Sequence, residues 1–208
     1  RGILEHEYGV PHRSCEWFSE LDESIEFEPP ADLKLTRMAD DQSCEQMLAE
    51  GELDAVLHPD LIKPLVDGDP RVGRLFPDFK TEEIAFYKRT QIFPIMHVMG
   101  IKREIVEEHP WVPINLFHAF NESKALAMKT LVNPRIVPLA WYREAWEEQE
   151  EVLGTDPWEY GMTEKNVNQL TKMVQYSHEQ GMLSREIPLD ELFLSVDQGR
   201  KRGDEFRV

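Results

Sequence analysis

The sequence is short of positive charge. Its 208 residues carry 23 lysines and arginines against 40 aspartates and glutamates, a formal net charge of −17. A field of that sign repels polyanions and excludes most nucleic-acid binders, while small anions stay open because a few arginines can reverse the sign locally. Long apolar runs are also absent, and nothing approaches the roughly 20 residues of a membrane-spanning helix. Only two cysteines are present, Cys15 and Cys44. Their spacing fits no framework, so free thiols are favoured over a disulfide. There is no G-x-S-x-G, G-x-G-x-x-G, phosphate-binding loop, H-E-x-x-H or C-x-x-C, which weakens hydrolase, dinucleotide and structural-zinc readings. Enzymes that use scattered cleft residues, and binding proteins, remain.

What is present is ordinary for a globular chain, 41% hydrophobic and 30% charged residues, without repeats or low-complexity stretches. The chain opens Arg1-Gly2-Ile3-Leu4, as if inside a helix, which leads to the expectation that residues precede it. That helix ends at Gly9. Cys15 to Phe18 reads as a short strand and residues 20–35 as an acidic excursion. A helix over about 41–50 has Ser43 and Gln46 spaced as a capping box, with Gly51 closing it. Leu53 to Leu57 then reads as a strand running into His58-Pro59. Thr81 to Tyr87 fits a short helix. Ile92 to Ile101 is apolar almost without interruption, the pattern of a strand buried on both faces, with Pro94 at its start or at an edge. Beyond it the pattern is helical: about 102–108, a stripe from Pro113 through Met128 that includes Lys124, then 139–152, 163–179 and 188–193. The end, Asp197 to Val208, is polar and expected to fray.

Several residues have both a functional and a structural reading. His6, Glu7, His12 and Cys15 are metal-ligand types, but their spacing matches no zinc pattern and a solvated helix end is favoured. His58 follows a strand candidate, and strand ends are where open α/β sheets bind ligands, yet it also suits a plain turn. Tyr87-Lys88-Arg89-Thr90 precedes the apolar strand; Arg89 has the planar fork that grips a carboxylate, or is a surface charge. His97 is either a hydrogen-bonded core histidine or a cleft residue suited to proton transfer. Trp111, Trp141, Trp146 and Trp158 read as packing residues before they read as an aromatic pocket.

Taken together, several stretches resemble the 4,5-dihydroxyphthalate decarboxylases. They are Arg1 to Val10, Met47 to Ala55, Arg74 to Phe79, Tyr87 to Val98, Trp158 to Gly161 and Tyr176 to Gly181. The block from Arg89 to His97 is the most diagnostic, whereas Gly-Glu-Leu-Asp-Ala at 51–55 is generic to periplasmic-binding-protein-like folds. The resemblance implies an α/β fold of the two-lobed, type 2 periplasmic-binding-protein-like kind. On that reading residues 1–92 are the second lobe, residues 93–208 are the crossing strand and the mainly helical C-terminal part of the first lobe, and the N-terminal part of the first lobe is missing.

The implied reaction removes one carboxylate of 4,5-dihydroxyphthalate, or of a similar hydroxylated aromatic dicarboxylate, in the interlobe cleft to give protocatechuate. Each carboxylate is para to a hydroxyl. Protonation of the carbon bearing the leaving carboxylate gives a ketone-like intermediate, and loss of carbon dioxide restores the aromatic ring. No electron-sink cofactor is required and no metal ligand set is evident. The chemistry assigns His97 as proton donor, His58 beside the phenol, Arg89 as carboxylate clamp, and Thr90 and Tyr87 as further substrate contacts. The enzyme reading implies a cytoplasmic chain with a small-molecule partner; a homo-oligomer is left open. The competing reading is the solute-binding protein of an ABC transporter for an aromatic or sulfonate-like anion, and a related ligand sensor is a third.

Overall fold

A computed structural model describes residues 1–22 and 28–196. Part of the acidic excursion and the polar end from Asp197 to Val208 lie outside the described residues. The chain is mixed α/β and mostly helical, with one small two-stranded sheet among the described residues. It divides into two compact units, residues 1–83 with 175–186, and residues 84–174 with 187–196 of the described chain.

The first unit begins with α1 (Gly2–Tyr8), ended by Gly9 in the left-handed region, whose N–H returns to the Glu5 and Leu4 carbonyls. Its polar face is held by carboxylates. His6 Nε2 lies 2.6 Å from Glu179 Oε2, with its ring tilted against Tyr176. The buried His12 pairs with Glu5, and that hydrogen bond holds the Glu5 carboxyl below its ordinary range. β1 (Glu16–Ser19) and β2 (Lys34–Arg37) run parallel, with Glu16 opposite Lys34 and their side chains joined at 2.7 Å.

β2 begins at the end of the stretch, residues 20–35, that the sequence predicts as an excursion, and runs two residues past it. All four of its residues are exposed, so it shows no hydrophobic alternation. α2 (Cys44–Glu50) starts at Ser43 as expected, but the capping box does not form. The Cys44 N–H donates to Glu20 Oε1 at 2.7 Å, and Gln46 turns forward to Glu50. α3 (Lys63–Val66) follows a loop. Leu53 to Leu57 forms no strand, because no strand among the described residues offers it a ladder. Leu33, Met38 and Ile62 are the buried apolar side chains here.

α4 (Phe79–Thr90) and α8 (Glu164–Glu179) each contain a boundary between the units. The second unit also holds α5 (Arg103–Glu108), α6 (Trp111–Leu131), α7 (Tyr142–Leu153) and α9 (Leu189–Leu192). No described helix is long and apolar enough to cross a membrane. Its buried apolar residues are Phe86, Tyr87 and Ile92 around the end of α4, and Leu170 and Val174 on α8. Thr163 caps α8 as its position predicts, accepting the Asn166 N–H at 3.2 Å.

The largest departure from expectation is residues 91–102, which form neither helix nor strand. Met96, Val98 and Met99 are 77%, 64% and 61% exposed, so this stretch is not a buried strand. A strand is completed by its neighbours, and the described residues supply none beside it.

Candidate functional site

α4 runs further than its sequence signal, to Thr90, and so places Tyr87, Arg89 and Thr90 on one turn. Tyr87 is buried, and its hydroxyl donates to the Leu153 carbonyl at 3.5 Å. Arg89 is exposed, with its guanidinium carbon 6.0 Å from the centre of the Phe86 ring. Thr90 Oγ1 donates to the Phe86 carbonyl at 2.8 Å and accepts the Ile92 N–H at 3.2 Å.

Two residues that the sequence did not single out complete this turn. Gln91 has φ 56°, the one non-glycine positive φ among the described residues. That conformation costs an L-residue about 1–2 kcal/mol. Its N–H donates to the Tyr87 carbonyl at 2.7 Å, and its side-chain amide donates to the carbonyls of Tyr87 (3.2 Å) and Lys88 (3.4 Å). From α8, Asn168 Nδ2 donates to the Thr90 carbonyl at 3.2 Å. Carbonyls that lack a partner within the last helical turn are thus met by side chains.

Beside the turn stands a cation–aromatic cluster. Lys124 of α6 is 14% exposed at its side chain; its Nζ lies 2.6 Å from Asp156 Oδ2, 2.9 Å from the Trp158 carbonyl and 4.4 Å from the centre of the Tyr160 ring. Trp158 meets Phe93 edge-on at 5.9 Å. A lysine inside an apolar helical stripe was the signal available in the sequence for this cluster. The tryptophans do not gather into one pocket. Trp111 lies against His109 and Trp146 against Tyr142, and Trp141 is exposed.

The sequence-derived site residues are therefore only partly brought together. Tyr87, Arg89 and Thr90 share the α4 turn. His97 is exposed in the segment that leaves it, with no hydrogen bond to a described residue. His58 belongs to the first unit, exposed in a turn where its Nδ1 accepts the Asp60 N–H at 3.1 Å. A shallow groove of about 300 Å³ on the first unit, between α2 and α3, contains none of these residues, and its cations Lys63 and Arg71 already pair with Asp67 and Asp69. Among the described residues no group of three or more His, Cys, Asp or Glu is placed to hold a metal ion. Cys15 and Cys44 are free thiols, and burial pushes the Cys44 thiol up, with Glu20 adding to it.

No family model matches the chain. A comparison with curated proteins finds it similar to 4,5-dihydroxyphthalate decarboxylase of Comamonas testosteroni, 31% identical over 201 residues, which is 93% of this chain and 61% of that protein. The chain spans about three-fifths of the length of this relative. The likeness supports a distant relationship to that decarboxylase.

Proposed function

We propose that the protein acts as a carboxy-lyase on 4,5-dihydroxyphthalate or a similar hydroxylated aromatic dicarboxylate, releasing carbon dioxide and protocatechuate. The observation that carries this reading is the similarity to a decarboxylase across nearly the whole chain. The α4 turn supports it chemically. Arg89 offers a bidentate donor for the carboxylate that stays, and Thr90 adds a hydroxyl next to it. Tyr87 contributes by anchoring the turn through Leu153. His97, on the segment leaving the turn, delivers a proton to the ring carbon bearing the departing carboxylate. The para hydroxyl oxygen shares the resulting positive charge; the carbon–carboxylate bond then breaks, carbon dioxide leaves, and the electron pair of that bond restores the aromatic ring. The type 2 periplasmic-binding-protein-like fold belongs to the same proposal.

The test is incubation of the chain with 4,5-dihydroxyphthalate while carbon dioxide and protocatechuate are followed. Loss of a general acid costs about 10²- to 10⁴-fold in rate, so His97→Gln is expected to lower kcat by that order with affinity retained. Unchanged turnover at equal affinity removes His97 from the mechanism. Binding of the diacid by the unmodified chain without product refutes the decarboxylase reading.

A further inference from the structure

The turn after α4 differs from the left-handed ends of α1, α2 and α8. Past α1, α2 and α8 the left-handed position is filled by Gly9, Gly51 and Gly181; past α4 it is filled by Gln91. A glycine would adopt the same backbone without strain, but it would withdraw the amide that reaches the Tyr87 and Lys88 carbonyls. Non-glycine residues persist in this region only where their surroundings over-determine them. Here the surroundings do so: Thr90 ties Phe86 to Ile92 through its hydroxyl, and Asn168 fixes the Thr90 carbonyl from α8. These bonds lie on both sides of Arg89 along the chain, and they set the direction in which the segment carrying His97 departs.

We propose that Gln91 and Asn168 are positioning residues. By locking the turn between α4 and residues 91–102, they hold Arg89 in the orientation that receives a substrate carboxylate. The inference rests on the reading of Arg89 as the carboxylate clamp, and neither residue is assigned contact with substrate. A clamp that holds substrate and transition state alike governs KM rather than kcat.

The experiment is steady-state kinetics of the 208-residue chain with 4,5-dihydroxyphthalate, for the parent and for Gln91→Gly, Gln91→Asn, Asn168→Ala and Arg89→Lys. Loss of the Gln91 amide bonds is expected to raise KM about three- to tenfold while kcat moves less than about twofold. Asn168→Ala gives a rise of the same order. Gln91→Asn tolerates the left-handed backbone but carries its amide one methylene shorter, so it recovers the backbone part of the loss and less of the amide part. In an Arg89→Lys background Gln91→Gly adds little, because both changes act on one clamp. Parent KM in both Gln91→Gly and Asn168→Ala overturns the inference, as does a fall in kcat at constant KM or full additivity with Arg89→Lys. The parent measurement separates the two failures. A parent chain that neither binds nor decarboxylates the diacid sinks the functional reading, and the positioning role falls with it. An active parent with indifferent variants sinks the positioning role alone.

Discussion

Replacing Gly181 with alanine is the sharpest test of the packing in the first unit. Gly181 has φ 75°, and a β-carbon built there lies 2.3 Å from Pro30 Cγ and 3.3 Å from Pro30 Cδ. Ordinary carbon contacts are about 3.5–4.0 Å. The proline ring cannot rotate aside, so the backbone must move. The left-handed conformation costs alanine about 1–2 kcal/mol, overpacking adds about 1–3 kcal/mol, and the stiffer unfolded chain returns about 0.4–1 kcal/mol. The expected destabilisation is about 1–4.5 kcal/mol, centred on about 3 kcal/mol.

Gly51 provides the control. Its φ is 79°, but nothing lies within 4 Å of its added β-carbon. Gly51→Ala therefore carries the backbone cost alone, about 1 kcal/mol net. Urea unfolding of both variants, with Pro30→Ala singly and combined with Gly181→Ala, isolates the proline contact as a coupling energy. Equal midpoints for Gly181→Ala and Gly51→Ala, or no coupling to Pro30→Ala, would refute the close approach.

Two further outcomes are expected. Lys124→Met removes the charge beside the half-exposed Asp156, whose Oδ1 has no hydrogen-bond partner among the described residues, and also the bond to the Trp158 carbonyl, and should destabilise the chain by about 1–2 kcal/mol; Asp156→Asn in the same background should recover part of that, and a change below about 0.5 kcal/mol in thermal or urea unfolding contradicts the cluster. The Arg71 guanidinium and backbone N–H hold the Asp69 carboxyl down to about 2 from its ordinary 3.8. A depressed carboxyl contributes stability above its unfolded value and loses it as pH falls towards its folded one, so the turn at 69–71 should loosen between about pH 4 and pH 2. Carboxyl-carbon NMR titration checks this, and a midpoint near 4 for Asp69 removes the pair from consideration.

Local signals made the helices legible. Gly9 ending α1, Gly51 ending α2 and Thr163 opening α8 act within a few residues of themselves, so their neighbours in sequence are enough to read them. Strands depend on partners elsewhere. Lys34 to Arg37 shows no alternation and is a strand only because β1 lies alongside; Ile92 to Ile101 has the composition of a buried strand and is not one. The candidate site divides in the same way. That Tyr87, Arg89 and Thr90 lie on one turn was legible because adjacency on a helix is adjacency in sequence. Nothing in the sequence marks Gln91 as left-handed or sends Asn168 to the Thr90 carbonyl, and Ser43 lost its expected role because Glu20 supplies the acceptor.

The exposed stretch after α4 has a consequence for the protein in solution. From Gln91 to Ile101 there is no lysine, arginine, aspartate or glutamate, while the whole chain carries −17. Copies that approach one another are held off by that summed charge and not by anything on the stretch itself. The reach of the repulsion is about 10 Å at 0.1 M salt and about 3 Å at 1 M. Concentrated salt, or acidification towards the isoelectric point near 4.8, shortens or discharges the barrier and lets these apolar stretches meet. Lys88 and Arg89 before the stretch, and Lys102 and Arg103 after it, are then the nearest charges left to keep one copy from templating on the next.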